Sequence, residues 1–542
     1  MPAAVISGQV CLEDLNRSDT PYQIDGLTMS ARGLLALLAC LGIGGLRAWG
    51  EEPAKPSIPA GPLSYHRTIR PIFQQHCAGC HQPAKSQSGY VITTHSALLK
   101  PGESEQPAVV AGKPDKSVLV QQIVPHGGNR PAMPKGQPPL SDREVELIKT
   151  WIHQGAKDDS PSSARTLVDA DHPPTYALPP VLSSIAYSPD GKLLAVSGYH
   201  EVLLHKPDGS GIIARLVGLS ERVQSLAFSP DGKWLAISGG DPGRLGEVQI
   251  WNVAKRKLKL SLPVTYDTVY GVSWSPDGKK VAFGCADNTL RAIDAETGQQ
   301  VLFQGAHNDW VLDTVFSVDG SHLVSVSRDR SMKLIEVATQ RFVDNITSIT
   351  PGALKGGLMT VARHPQRDEL LIGGADGEPK TYRMHRIRKR LIGDDFNRLW
   401  VFGAMPGRIF CARYSPDGNR IAVGSSSDGH GEVRVYQAAP EPTESRLIAL
   451  CGLPAPITHQ LILFAVLPDF RKVGRLVAQF EGQRGAVYTI AFRPDGKVVA
   501  SAGFDGVVRL NDSETGKLIK EFVPVPTPPS TVANTTTHRN EP

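Results

Sequence analysis

Apolar and polar positions follow two different periods along this chain, and the change of period divides it. Between Ser141 and Gly155 apolar residues recur at helical spacing, with Val145, Ile148, Trp151 and Ile152 on one face. Ser141-Asp-Arg-Glu144 has the Ser-x-x-Glu form of a capping box and predicts the start of that helix, and Gly155 predicts its end. A second helix-like run covers Arg67–Gln75. From about residue 181 the pattern becomes one of short β-rich runs, such as Val223–Phe228 and Trp234–Ser238, on either side of a recurring turn. Stretches 51–64 and 159–180 are polar and Pro-rich, which predicts linkers on both sides of a compact segment at 65–158.

The turn defines a repeat. Ser-Pro-Asp-Gly begins at Ser188, Ser229, Ser275 and Ser415, with variants at Ser317, His364 and Arg493. The intervals are 41, 46, 42, 47, 51 and 78 residues, the last enlarged by an insertion at 437–480. Asp-Gly supplies the positive φ of a hairpin turn, and the preceding Pro fixes its entry. Seven hairpins at this spacing predict a seven-bladed, all-β propeller over 181–525, preceded by a small all-α domain. The repeats resemble the WD40 family. VQSLAFSPDGKWLAISGGD…EVQIWNV (223–253) carries its strand–turn–strand–strand order, with Trp251 at the family's Trp position. His307 in GAHNDWV and Asp329 match the His and Asp of the family's hydrogen-bond network, whereas most other blades lack that His and Trp. The resemblance implies that the last strand, Lys517–Val523, pairs into the first blade and seals the ring.

The N-terminal 50 residues read as an address and not as part of the fold. Residues 33–46, GLLALLACLGIGGL, form an apolar run between Arg32 and Arg47, too short to span a membrane and suited to a secretory signal. The acidic residues before it are foreign to such a signal, so Met29 is the expected start, with cleavage near Ala48–Gly50. An uncleaved anchor, or a lipoprotein site at Cys40, is the alternative. Export to a bacterial periplasm follows, with no membrane span in the mature chain, and 526–542 is expected to be a disordered tail.

Composition narrows the function. Lys plus Arg exceeds Asp plus Glu by 58 to 53, and a surplus of +5 over 542 residues is too dilute for a nucleic-acid binder. Gly at 53 and Pro at 43 suit a turn-rich β architecture. Seven cysteines in so long a chain form no disulfide framework, but two of them sit in a motif.

His76-Cys77-Ala78-Gly79-Cys80-His81 contains C-x-x-C-H, the c-type haem attachment signal. Two thiols three residues apart reach the two vinyl groups of one porphyrin, and the adjacent His81 is the proximal iron ligand. A zinc site needs about four ligands, and no second Cys or Cys/His pair lies nearby. A thioredoxin-like pair belongs on a βαβ unit, whereas the motif follows the helix-like run Arg67–Gln75. Met133, in Arg-Pro-Ala-Met-Pro-Lys, is the expected distal ligand, since a core-filling role is out of place in so polar a loop. His126 and His153 are the reserves, His153 falling on the exposed side of its helix. The segment resembles the planctomycete-type cytochrome c domain through the CAGCH motif, VAGKPDKSVL (110–119), the Ala-Met-Pro loop and Leu140-Ser-Asp…WIHQGA (151–156). That resemblance implies one covalent haem c, electron transfer, and fusion to WD40-type propellers.

Cys285 and Cys411 fall on strands as buried free thiols, Cys451 lies in the insertion, and the basic run Arg383–Arg390 reads as a solvated strand face. The expectation is therefore an exported mono-haem cytochrome that passes single electrons to a redox protein, with no bond-making catalysis of its own. Its propeller would bind a protein or small-molecule ligand. Two alternatives stand beside it: a redox enzyme with a second cofactor on the propeller, as in the cytochrome cd1 plan, and an interaction scaffold holding zinc or nothing.

Overall fold

The computed structural model describes residues 22–24, 27–29, 61–162, 167–348, 355–387, 389–390, 395–439 and 474–527. Residues 1–60 and 61–542 form separate compact units. In the first, Tyr22–Ile24 pairs antiparallel with Leu27–Met29. The apolar run at 33–46 and Cys451 lie outside the described residues.

Within the second unit, residues 61–158 build four short helices: α1 (Arg70–His76), α2 (His95–Leu98), α3 (Val118–Ile123) and α4 (Asp142–His153). Each start has a local cause. Pro71 occupies the first turn of α1, where its missing N–H costs nothing. The Thr94 hydroxyl accepts from Ala97 N at the start of α2. The capping box of α4 is present in full: Glu144 N donates to Ser141 Oγ, and Ser141 N donates to Glu144 Oε2 at 2.8 Å. Gly155, at φ +97°, follows the last turn of α4. Leu147, Ile148, Trp151 and Ile152 form the buried face of α4, against Tyr65, Ile69 and Phe73. Tyr65 stacks on Trp151 with centroids 5.4 Å apart.

The rest is antiparallel sheet. A seven-stranded sheet runs from Ile185–Tyr187 to Lys257–Thr265, and five four-stranded sheets follow in chain order among the described residues. The 17-residue strand Ile212–Phe228 serves two neighbours in the first sheet. Its first half pairs with Tyr199–His205, as Leu216 with Val202, and its second half with Trp234–Asp241, as Phe228 with Leu235. Consecutive sheets pack face to face. Val324 and Leu334, for example, meet Leu358 and Ile372, and Ile409 and Val423 meet Leu371 and Trp400. Both faces of the inner strands are buried, which is why Leu194–Ser197 and Glu369–Gly374 lack polar alternation.

The five expected turns that begin with Ser adopt the same geometry, whereas the His364 turn has neither the carboxylate nor a positive φ. The Ser hydroxyl bonds the Asp carboxylate two residues on, at 2.6 Å for Ser188 and Asp190 and 2.7 Å for Ser229 and Asp231, and Gly191 and Gly232 take φ +69° and +71°.

Four expectations are corrected. The strand Leu518–Phe522 pairs with Val508–Asp512 in its own sheet, not with the first one. Contact between last and first sheets comes instead from side chains, Leu182, Ile185 and Val196 packing on Val498, Ala500 and Leu510, with Ile185 N donating to Thr489 Oγ1 at 3.0 Å. Strand Leu476–Phe480 pairs with His430–Gln437, so the extra chain between those strands is shorter than 437–480. The stretch 159–180 is fastened down: Tyr176 Oη donates to Glu201 Oε1 at 2.7 Å, and Arg215 Nη2 to Pro174 O at 2.6 Å. Of the stretch 526–542 only Pro526 and Thr527 are described, just beyond buried Pro524 and Val525. The basic run leaves the strand after Arg383, and Arg386 and Arg390 ion-pair with Asp344 at 3.1 and 2.8 Å.

Candidate haem site

The C-x-x-C-H residues sit where α1 stops. Cys77 N and Ala78 N both donate to Phe73 O, and Cys80 N and His81 N both return to Cys77 O. The motif is thus a tight turn beyond the helix, and His81–Gln82 begins a two-residue ladder with Lys85–Ser86. The bond from His81 N to Cys77 O has the four-residue span of an α-helical turn, whereas that from Ala78 N to Phe73 O spans five residues and loosens the chain where α1 ends. His81 N–H feeds Cys77 O and Ile92 N donates to His81 O at 2.9 Å, so the residue is fixed on both sides. Its ring meets Tyr90 edge-on at 5.6 Å.

Cys77, Cys80, His81 and Met133 all line one cavity of about 280 Å³, closed by Tyr90, Ile92, Leu119 and Ile123. Met133 gets there through α3, its N–H donating to Gln122 O at 2.9 Å. The reserve histidines are elsewhere. His126 Nε2 bonds Gln121 O on the surface, and His153 is exposed on α4.

The electrostatics suit a neutral nitrogen ligand and a protonated Cys77 thiol. Burial lowers the pKa of His81, against the opposing pull of the Tyr90 and Gln87 backbone, and so favours the uncharged imidazole that binds iron. Burial pushes the Cys77 thiol up to about 12, with Cys80 and the Glu144 carboxylate pushing the same way. The described residues gather no group of three His, Cys, Asp or Glu side chains suited to a metal ion. The donor set, two thiols, one imidazole and one thioether on a shared apolar wall, fits haem c. Sequence reasoning missed His76 and Glu144. His76 lines the same cavity, and its Nε2 bonds Glu144 Oε1 at 3.0 Å, tying the motif to the capping box of α4.

A second cavity, of about 760 Å³, opens where the inner strands of the sheets converge. Tyr199, Tyr270, Phe410 and Tyr488 line it, and Trp310 stacks on Tyr270 at 5.7 Å. Its carboxylate Asp313 accepts from Val361 N at 3.0 Å and from Thr360 Oγ1 at 3.1 Å, with Arg413 3.8 Å away. Asp313 thereby joins neighbouring sheets. The His307 network predicted from sequence is formed, His307 Nδ1 lying 2.9 Å from Asp329 Oδ2 and Nε2 lying 2.7 Å from Ser325 Oγ.

A chain with this thiol–imidazole turn beside serial four-stranded sheets is a cytochrome c-like segment joined to a repeat propeller. Comparison with known families specifies both parts. Residues 77–137 match the model for Planctomycete cytochrome C. Residues 212–252 and 474–512 match the WD domain, G-beta repeat, and 243–355 match the Anaphase-promoting complex subunit 4 WD40 domain. Among curated proteins the chain is similar to eukaryotic translation initiation factor 3 subunit I of Coccidioides immitis, 27% identical over 31% of this chain and 45% of that protein. It is also similar to the serine-threonine kinase receptor-associated protein of Gallus gallus, 24% identical over 46% of this chain and 68% of that protein. The chain spans less than half the length of the first of these relatives.

Proposed function

We propose that this chain is an exported, periplasmic cytochrome that carries one covalent haem c on Cys77 and Cys80, with His81 proximal and Met133 distal. Haem held there supplies a one-electron couple, and the chain exchanges single electrons with a redox protein. The observation that carries this reading is the convergence of those four side chains, 56 residues apart at their extremes, on one cavity. His81 would supply a neutral nitrogen, and the apolar side chains of Ile92, Leu119 and Ile123 would keep water from a group held in the cavity.

A count of seven blades is supported by reading the seven-stranded sheet as two blades that share strand Ile212–Phe228, beside the five four-stranded sheets. The propeller is the binding platform, and the aromatic rim of the central cavity supports that role. Tyr199, 44% exposed, lines it, and Trp310, 38% exposed, backs the lining residue Tyr270, with Arg328 4.6 Å from the Trp310 ring centre. Export rests on the apolar run at 33–46. Among the described residues no helix is long and apolar enough to cross a membrane.

The test is expression with a c-type maturation system, followed by an absorption spectrum and a haem stain after denaturation. Haem that remains on the chain supports the reading. A chain that matures without haem, or that retains zinc by intact mass, refutes it.

A further inference from the structure

The outer strand of the second blade, Lys257–Thr265, is an exposed sheet edge in principle, and the haem-attachment turn covers it. Gly79, between the two cysteines, lies so close that a Cβ there would sit 2.4 Å from Ser261 O and 3.3 Å from Pro263 Cδ. Lys85 Nζ donates to Lys259 O at 3.0 Å, and Ala84 packs on the cluster of Leu235 and Trp251. Gln82, the residue after His81, is 1% exposed. Its amide donates both to Ala78 O at 3.1 Å and to Ser261 Oγ at 2.8 Å.

Behind Ser261 stands a carboxylate with no exposed surface, Glu247. Ser261 Oγ donates to Glu247 Oε1, while Ser220 Oγ and Gln249 Nε2 donate to Oε2 at 2.6 and 2.8 Å. Gln249 is fixed in turn by Trp251 Nε1 at 2.7 Å. Burial raises the pKa of Glu247, and the three neutral donors Ser220, Ser261 and Gln249 work against that shift, in favour of the ionised carboxylate. A structural role for this network within the blade needs Ser220, Gln249 and Trp251 but has no use for Gln82. The bond to Gln82 is what extends it into the motif.

We propose that Ser261 and Glu247 are positioning residues for the haem segment, fixing through Gln82 the short strand that carries His81, and that the Glu247 charge favours ferric over ferrous iron. The inference rests on the haem reading above. A buried negative charge acts through a medium of low polarisability and stabilises the more positive iron state. The propeller then sets the potential of the cytochrome as well as offering a platform.

The test uses the full chain, matured with haem and also prepared without it. Glu247→Gln preserves the packing, because the Ser261 hydroxyl has lone pairs for both the Gln82 amide and a new amide at 247. Its midpoint potential should rise with haem content unchanged. Ser261→Ala should shift the potential and speed amide hydrogen exchange over Gln82–Ser86 by about tenfold, the loss of roughly one buried hydrogen bond. Ser261→Thr, which keeps the hydroxyl, should restore both. Potentials equal to wild type in Glu247→Gln and Ser261→Ala, with exchange unchanged, would overturn the inference while leaving the haem assignment standing. If Glu247→Gln does not fold, the contrast between Ser261→Ala and Ser261→Thr decides. If no variant or parent chain attaches haem, the functional reading fails, and exchange in the haem-free chain still decides whether Ser261 positions the motif.

Discussion

Residues 61–158 and the propeller use repetition in opposite ways. In the haem segment every stabilising contact occurs once: one capping box at Ser141, one Tyr65–Trp151 stack, one His76–Glu144 bond. In the propeller the same hydrogen-bonded turn recurs at Ser188, Ser229, Ser275, Ser317 and Ser415, and the same face-to-face packing joins each sheet to the next. A singular design concentrates chemistry, since each position can be specialised. It also concentrates risk, because no neighbour substitutes for a lost contact. A repetitive design spreads stability, and single losses should be small unless they strike a buried charge.

The sharpest break between the two regions is expected from the double variant Cys77→Ala, Cys80→Ala. Haem retained after denaturation should fall to nothing by gel stain and intact mass. The melting transition of the propeller should remain, because its core clusters contain neither cysteine. Loss of that transition as well would mean that the two regions fold as one. Next in size is Met133→Ala. It should abolish the weak near-infrared sulfur-to-iron band of the ferric state and lower the midpoint potential, since a thioether favours ferrous iron. A spectrum and potential unchanged in Met133→Ala, with His126→Ala altering both, would transfer the distal role to His126.

This contrast also explains what could be read from the sequence. The repeated turn announced the blades because a Ser-Pro-Asp-Gly turn depends only on four adjacent residues. The capping box at Ser141 and the C-x-x-C-H motif were legible for the same reason. Pairings between distant segments were not. Whether Leu518–Phe522 closes its own sheet or the first one is decided by packing across some 330 residues, and there the side chains of Leu182, Ile185 and Leu510 made strand exchange unnecessary. Gln82 and Ser261 carry no local signal at all, being ordinary polar residues until the fold brings them to 2.8 Å. Glycine at Gly79 was visible within the motif, but its reason, the carbonyl of Ser261, was not.

Within the propeller the largest single loss should come from Asp329→Ala. The carboxylate serves His307 and Asn308 N through one oxygen and Ser331 through the other, with His307 only 1% exposed at its side chain. Removing one partner of a buried pair leaves the other unsatisfied, at a cost of about 3 kcal/mol by denaturant unfolding. The pH dependence has a definite sign. Burial opposes ionisation of Asp329, but the hydrogen bond and charge of His307, with Ser331 and Asn308, hold its carboxyl well below the usual range. A depressed folded-state pKa contributes stability that is complete above about pH 4 and drains away as the medium becomes more acidic. The stabilities of the parent chain and Asp329→Asn should therefore converge at low pH. A difference that stayed constant from pH 6 down to strongly acid conditions would assign the loss to packing alone.

The smallest effect tests repetition itself. Ser229→Ala removes a hydroxyl that bonds Asp231 at 2.7 Å and accepts from Trp234 N at 3.0 Å. Ser229 is buried, but Asp231 faces water and keeps the bond from Lys233 N, so the expected cost is about 1 kcal/mol, one net hydrogen bond. Because Ser188 and Ser275 hold equivalent turns in adjoining repeats, Ser188→Ala and Ser275→Ala should each cost the same within a few tenths of a kcal/mol. Their double variant should cost the sum, since the turns share no partners. In the haem segment the comparable removal, Ser141→Ala, also frees Glu144, whose Oε2 accepts from Ser141 and whose Oε1 holds His76 beside the thiols. That substitution should therefore cost more than any one of the propeller turns and alter the haem spectrum as well. Equal costs at Ser141 and Ser229, with an unchanged spectrum, would show that the singular contact carries no more than one member of the repeated set.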